Sequence, residues 1–114
     1  DLLNMDCGEA MMMNPSPEEQ LIGVGKEGNE DKFALLSPIT FVDKKDPPMH
    51  VFHGKKDNVV PGCQGERMYK ALQDAKVESY AVFEEEGGHG MGMYSEENLA
   101  KMTSFFDKVR NSKK

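Results

Sequence analysis

PPMHVFHGKKDNVVP, residues 47–61, is the stretch whose reading decides the fold. Residues 49–53 read as one buried strand: five mostly apolar or aromatic positions with β-branched character at Val51. Pro47 and Pro48 bar a helix from entering it, because each fixes φ and disfavours the α region in the residue before it. Gly54 permits a sharp exit. Pro61 suits the first turn of a following helix, where its missing N–H is no loss. Between strand and helix stands Asp57. In an open α/β sheet, chemistry collects at the carboxyl ends of the strands, which is where this aspartate falls.

Downstream the pattern continues. Gln64, Met68, Ala71, Leu72 and Ala75 give one mostly apolar helical face, with Glu66, Arg67, Lys70, Gln73 and Asp74 outside it. After a break at residues 76–78, the run Ser79-Tyr80-Ala81-Val82-Phe83 is rich in strand formers. A last helix starts at Ser95, with Tyr94 placed to staple onto Leu99 and an apolar stripe of Leu99, Met102, Phe106 and Val109. It frays over residues 111–114. Strand, helix, strand, helix is the repeating unit of a parallel sheet with covering helices, so the expected class is α/β.

Upstream, residues 1–46 read as a connector with short helices, and residues 47–114 as the strand–helix–strand–helix part of one domain. The Met11-Met12-Met13 run is pliable packing rather than a site. Ser16, Pro17 and Glu19 spell a capping box with proline at the first helical position, and Gly23 and Gly25 end that helix. A second short helix is expected around residues 31–36, stopped by Pro38. An apolar connector over residues 39–42 and a charged turn over residues 43–46 lead into the strand.

Composition bounds the function. A chain of 114 residues is one domain at most. A net charge of −6 and a pI near 5.0 argue against a nucleic-acid or anionic-membrane surface, which needs a basic stripe. No apolar run approaches the roughly 20 residues of a membrane helix, and the opening DLLNMDCGEA has no signal-peptide pattern. Two cysteines, Cys7 and Cys63, are too few and too separated in sequence for a metal ribbon or disulfide framework. They are expected to be buried or partly buried thiols rather than a bridge, and they leave the compartment open.

Two residues stand out as chemistry. His89 sits in GGHGMG among Gly87, Gly88, Gly90 and Gly92, and glycine at such density marks a required backbone shape. It follows Asp57 by 32 residues, each after a successive strand. That is the arrangement of an acid that orients an imidazole and a histidine that moves a proton for a nucleophile. Aspartate alone in such a loop is equally an ordinary turn former. His50 and His53 lie on opposite faces of their strand and read as structural, His53 bonding into the loop beside Gly54. A metal site from His50, His53 and His89 is therefore disfavoured, and neither metal nor cofactor is expected.

From about residue 21 to residue 106 the chain resembles the C-terminal part of an α/β-hydrolase. The likeness is to the acetylxylan and feruloyl esterase group, and more distantly to dienelactone-hydrolase and prolyl-oligopeptidase-like branches. It rests on Leu21-Ile22-Gly23, Ser37-Pro38, Pro47-Pro48, the run His53-Gly54-Lys55-Lys56-Asp57 with Val60-Pro61, and Gly88-His89-Gly90. The resemblance implies Asp57 as triad acid, His89 as triad base, residues 49–53 as the seventh strand and residues 79–83 as the eighth. It departs from the family in one respect: the nucleophile belongs on a G-x-S-x-G elbow upstream of the acid, and no such pentapeptide occurs here. Ser37 is followed by proline and lacks flanking glycines. Cys7 lacks glycine at both elbow positions and is set aside as nucleophile. The oxyanion-hole segment is missing too.

The resemblance implies a serine carboxylic-ester hydrolase acting on acetylated or feruloylated xylan-type polysaccharide, with this chain supplying the acid and base. The alternatives are a non-catalytic binding or assembly module of the same fold and a serine peptidase of the same fold. The expected partners are the ester substrate and the upstream part of the hydrolase, or a second copy paired through the exposed sheet edge. Nucleic acid and membrane are not among them. Alone, the 114-residue chain is expected to be inactive. Its compartment is secreted or periplasmic if it acts on polysaccharide, with the cytoplasm the other option.

Overall fold

Two parallel strands, β1 (Met49–Gly54) and β2 (Ser79–Glu84), form the sheet, paired in register from Met49 opposite Ser79 to Gly54 opposite Glu84. The computed structural model describes residues 1–5, 7 and 14–112. The Met11-Met12-Met13 run and the last two lysines lie outside the described residues.

Among the described residues four α-helices accompany the strands, in the order α1 (Pro17–Ile22), α2 (Glu30–Leu35), β1, α3 (Cys63–Asp74), β2 and α4 (Glu96–Ser112). Each strand sends alternate side chains to opposite faces. One face, with His53 and Phe83, meets α3: the His53 ring lies over Gly65, and Tyr69 packs edge-on against Phe83 at 6.2 Å between centroids. The other face, with His50 and Tyr80, meets Phe105 of α4 at 5.2 and 5.9 Å. The result is a helix layer on each side of a parallel sheet, an α/β arrangement as the sequence predicts.

The local signals act as they read, except at Pro61. Ser16 Oγ accepts from the Glu19 N–H, and the Glu19 carboxylate accepts from the Ser16 N–H at 2.9 Å, the reciprocal capping box at the head of α1. Pro61 stops short of the helix: it is buried in the turn before Gly62, the residue that caps α3. Leu72 is the buried anchor at the end of α3, and Gln64 and Gly65 are buried in its first turn. Phe33, in α2, is 1% exposed and anchors the upstream half.

Three expectations are corrected. Cys7 and Cys63 are bonded as a disulfide, Cα–Cα 6.1 Å, across a sequence separation of 56. Separation along the chain says nothing about separation in space: Gln64 Nε2 draws the first turn onto α3 by donating to the Asn4 carbonyl at 2.6 Å, and Arg67 donates to the same oxygen. The stripe of α4 is rotated. Asn98, Met102, Phe105 and Val109 face inward, while Leu99 and Phe106 are exposed. A polar residue at the first inward position disguised the true apolar face. The Tyr94–Leu99 staple does not shield its members either, since Tyr94 is 70% exposed. Ser95 does cap α4, its hydroxyl accepting from the Asn98 N–H at 3.2 Å.

Candidate active site

The loops leaving β1 and β2 cross at a pair of glycines. A β-carbon on Gly54 would lie 2.2 Å from the Gly87 carbonyl oxygen, so only hydrogen fits between the two backbones. The Lys56 N–H donates to that same oxygen at 2.9 Å, and the Lys55 N–H to Glu84 O at 2.8 Å. The parallel ladder therefore extends beyond the strands into the loops. Lys55 and Lys56 also pair with Glu85 and Glu86 across the crossing. This lacing sets the Asp57 loop beside the His89 loop.

Asp57 is nearly buried, and its carboxylate is fully engaged. Oδ1 accepts from the Val59 N–H (2.9 Å) and the Val60 N–H (2.8 Å), while Oδ2 accepts from His89 Nδ1–H at 2.9 Å. Burial alone would raise its pKa; the Val60 N–H, the His89 side chain and the Val59 N–H together outweigh it, holding the carboxyl below its ordinary range. Asp57 is thus kept ionised and aimed. Its Oδ1 bonds are those of an ordinary aspartate turn; the bond from Oδ2 to a histidine 32 residues away is not.

His89 stands at the tip of the loop, its side chain 58% exposed. The turn beneath it is made by Gly90 and Gly92, at φ +81° and +76°, values that a residue with a side chain adopts only under strain. With Nδ1–H committed to Asp57, the Nε2 lone pair faces outward and can take a proton from a hydroxyl brought to it. A cavity of about 310 Å³ opens there, lined by Phe52, His53, Val60 and Tyr94 among others.

His53 supports this arrangement from behind. Its Nε2–H donates to the Val60 carbonyl at 3.0 Å, and the same nitrogen lies 3.5 Å from Asp57 Oδ2. The ring lies so close over α3 that a β-carbon at Gly65 would sit 2.6 Å from Nδ1. His50 is on the other face of the sheet, inside an aromatic cluster, so the three histidines do not converge. Among the described residues no group of His, Cys, Asp and Glu is arranged to hold a metal.

The other nucleophile candidates lie elsewhere. Ser37 is fully buried, its hydroxyl accepting from the Leu2 N–H at 3.0 Å. The Cys7 sulfur is bonded to Cys63. Sequence reasoning missed Asn98 and Glu84, which close the base of the His89 loop: Asn98 Nδ2 donates to Glu84 Oε1 at 2.6 Å and to Met93 O at 3.0 Å. The available signal was a polar residue on the inward spacing of Met102, Phe105 and Val109.

An α/β fold with a histidine–aspartate pair at the carboxyl ends of adjacent parallel strands is the arrangement of an α/β-hydrolase, and solved structures share the fold. A truncated form of a carbohydrate esterase from gut microbiota superposes with a TM-score of 0.82 at 34% identity, covering 96% of this chain and 39% of that one. A bifunctional GH43-CE protein of Bacteroides eggerthii gives 0.79 at 36% identity, covering 96% of this chain and 15% of that one. Esterase LipQ of Mycobacterium tuberculosis is 34% identical over 89 residues, 78% of this chain and 21% of LipQ. The sequence profile of the BD-FAE family matches residues 1–72, a span that includes Asp57 and ends before β2 and His89. The chain belongs to the BD-FAE esterase family. It spans about a fifth of LipQ's length and about two-fifths of the truncated carbohydrate esterase.

Proposed function

We propose that the protein is a serine carboxylic-ester hydrolase acting on acylated plant polysaccharide of the acetylated or feruloylated xylan type, and that these 114 residues supply its acid and base. The observation that carries the reading is the 2.9 Å bond from His89 Nδ1–H to the buried, ionised Asp57, with Nε2 left facing the cavity. In this reading a serine elsewhere in the protein attacks the ester carbonyl. His89 takes the serine proton and returns it to the departing alcohol, and Asp57 holds the ring in the required tautomer and stabilises the imidazolium. The carbohydrate part rests on what the similar structures are called, a carbohydrate esterase and a GH43-CE protein.

The test is made on the complete enzyme. Asp57→Asn is expected to leave folding nearly intact and to lower kcat about 10⁴-fold, because an amide favours the wrong imidazole tautomer. His89→Ala should cost at least as much. A folded variant hydrolysing an aryl acetate at the parent's rate would remove the assigned roles; cleavage of peptides in preference to esters would turn the reading to a peptidase. The 114 residues contain no G-x-S-x-G, so by the same reading they do not react alone with a fluorophosphonate, and labelling of a serine within them would refute it. The two-stranded sheet leaves the outer edge of β1 unpaired among the described residues, which fits pairing with the nucleophile-bearing part or a second copy. Light scattering giving a monomer of 12.8 kDa would refute self-association.

A further inference from the structure

His89 is held in place by little of its own. Its side chain is mostly exposed, so packing does not orient it, and its neighbours in the loop are glycines that contribute no side-chain contacts. Its position must come from the loop's frame. Inside that frame the Gly88 N–H donates to Met91 O at 2.8 Å, and the Met93 N–H reaches Gly90 O at 3.3 Å. The β2 side is also held by the Lys55 and Lys56 N–H groups on Glu84 O and Gly87 O, but none of these bonds joins the Met93 end to it. The ends are residues 84 and 93, and one side-chain amide joins them.

That amide is Asn98, wholly buried in the first turn of α4. Its two N–H groups go to Glu84 Oε1 (2.6 Å) and Met93 O (3.0 Å). Both partners are acceptors, which settles which end of the amide carries nitrogen. Its Oδ1 is buried with no partner. An orphaned carbonyl is destabilising, so Asn98 is a poor choice for packing at this position. What it supplies that an apolar residue cannot is a pair of donors spanning the loop.

We infer that Asn98 is a positioning residue of the active site: its amide ties both ends of the 84–93 loop to α4 and so helps set His89 Nδ1–H onto Asp57. This rests on the reading of His89 as the proton-moving base, but its test needs no turnover. In ¹⁵N-labelled protein, the imidazole nitrogen shifts report the His89 tautomer, and the Hδ1 resonance reports the bond to Asp57. The parent protein should show His89 in the Nδ1–H form. Asn98→Ala should lower the ratio of Nδ1–H to Nε2–H at least ~10-fold, as expected when a hydrogen bond to a carboxylate is lost. Glu84→Ala, which removes one of the two anchors, should lower it in the same direction. Val109→Ala is the control, altering the same helix far from the loop; it should leave the ratio unchanged whatever it does to Tm.

A folded Asn98→Ala protein that keeps the parent's ratio and Hδ1 signal overturns the inference. If Asn98→Ala does not fold, Glu84→Ala decides, and an unchanged ratio overturns the inference equally. An equal loss in Val109→Ala also overturns it, since general loosening would then suffice. A parent protein lacking the Nδ1–H form would instead sink the proposed roles of His89 and Asp57, which separates the two failures.

Discussion

Gly54→Ala is the sharpest probe of how the two loops bring Asp57 to His89. The added methyl would sit 2.2 Å from Gly87 O, 2.4 Å from Gly87 C and 2.6 Å from Gly88 O. Carbon contacts are comfortable from roughly 3.5 Å, so the loops must part by about 1 Å. The obstruction is backbone, which cannot rotate away as a side chain would. The cost should lie at the upper end of the overpacking range, about 3 kcal/mol. For a chain of this size that lowers Tm by roughly 12 °C. The same displacement stretches the bond from His89 to Asp57 past hydrogen-bond length, and in the proposed hydrolase a 1 Å misplacement should cost about 10²-fold in rate. Gly88→Ala is the matched control. A methyl there finds nothing nearer than Met91 Cβ at 3.8 Å and should be tolerated. Thermal melting by circular dichroism, with the His89 imidazole followed by NMR, reads both effects. The reasoning is refuted if Gly54→Ala melts within about 2 °C of the parent. It is equally refuted if Gly88→Ala loses as much.

Two further outcomes are expected. Reducing the Cys7–Cys63 disulfide opens a loop of 56 residues, which by loop-closure entropy destabilises the fold by about 4 kcal/mol; urea unfolding with and without a phosphine reductant measures it, and coincident curves would show that the bridge contributes nothing. His50 is enclosed by Phe52, Tyr80 and Phe105, its Nδ1 is buried without a partner, and desolvation first, then the Lys101 charge, lowers its pKa. The folded state therefore keeps His50 neutral where the unfolded chain takes up a proton, so its contribution is complete above about pH 6.5 and is lost as the pH falls through that value toward the folded pKa. His50→Phe should flatten that part of the stability–pH curve and add about 1 kcal/mol by removing the orphaned nitrogen. An undiminished slope below pH ~6.5 would assign it to other groups.

The local elements were legible because their causes are local. Prolines ahead of β1, the capping box of α1 and the β-forming run of β2 act within a few residues, so their spacing carries the information. That Asp57 and His89 would lie together was legible for a related reason: each follows a strand, and parallel strands place their carboxyl ends together. What the spacing did not contain was how the elements meet. The inward face of α4 is chosen by where the sheet lies, and Asn98 belongs to it because two acceptors wait there, a fact absent from any hydropathy count. In the sequence Gly54 reads only as a flexible exit from the strand, and the spacing gives Gly65 no role. Tertiary contact makes them steric necessities, one against Gly87 and one under His53. The Cys7–Cys63 bridge is the plainest case. Two cysteines are only two thiols until Gln64 and Arg67 fold the first turn onto α3, because bond formation depends on distance in space and the chain encodes only distance along itself.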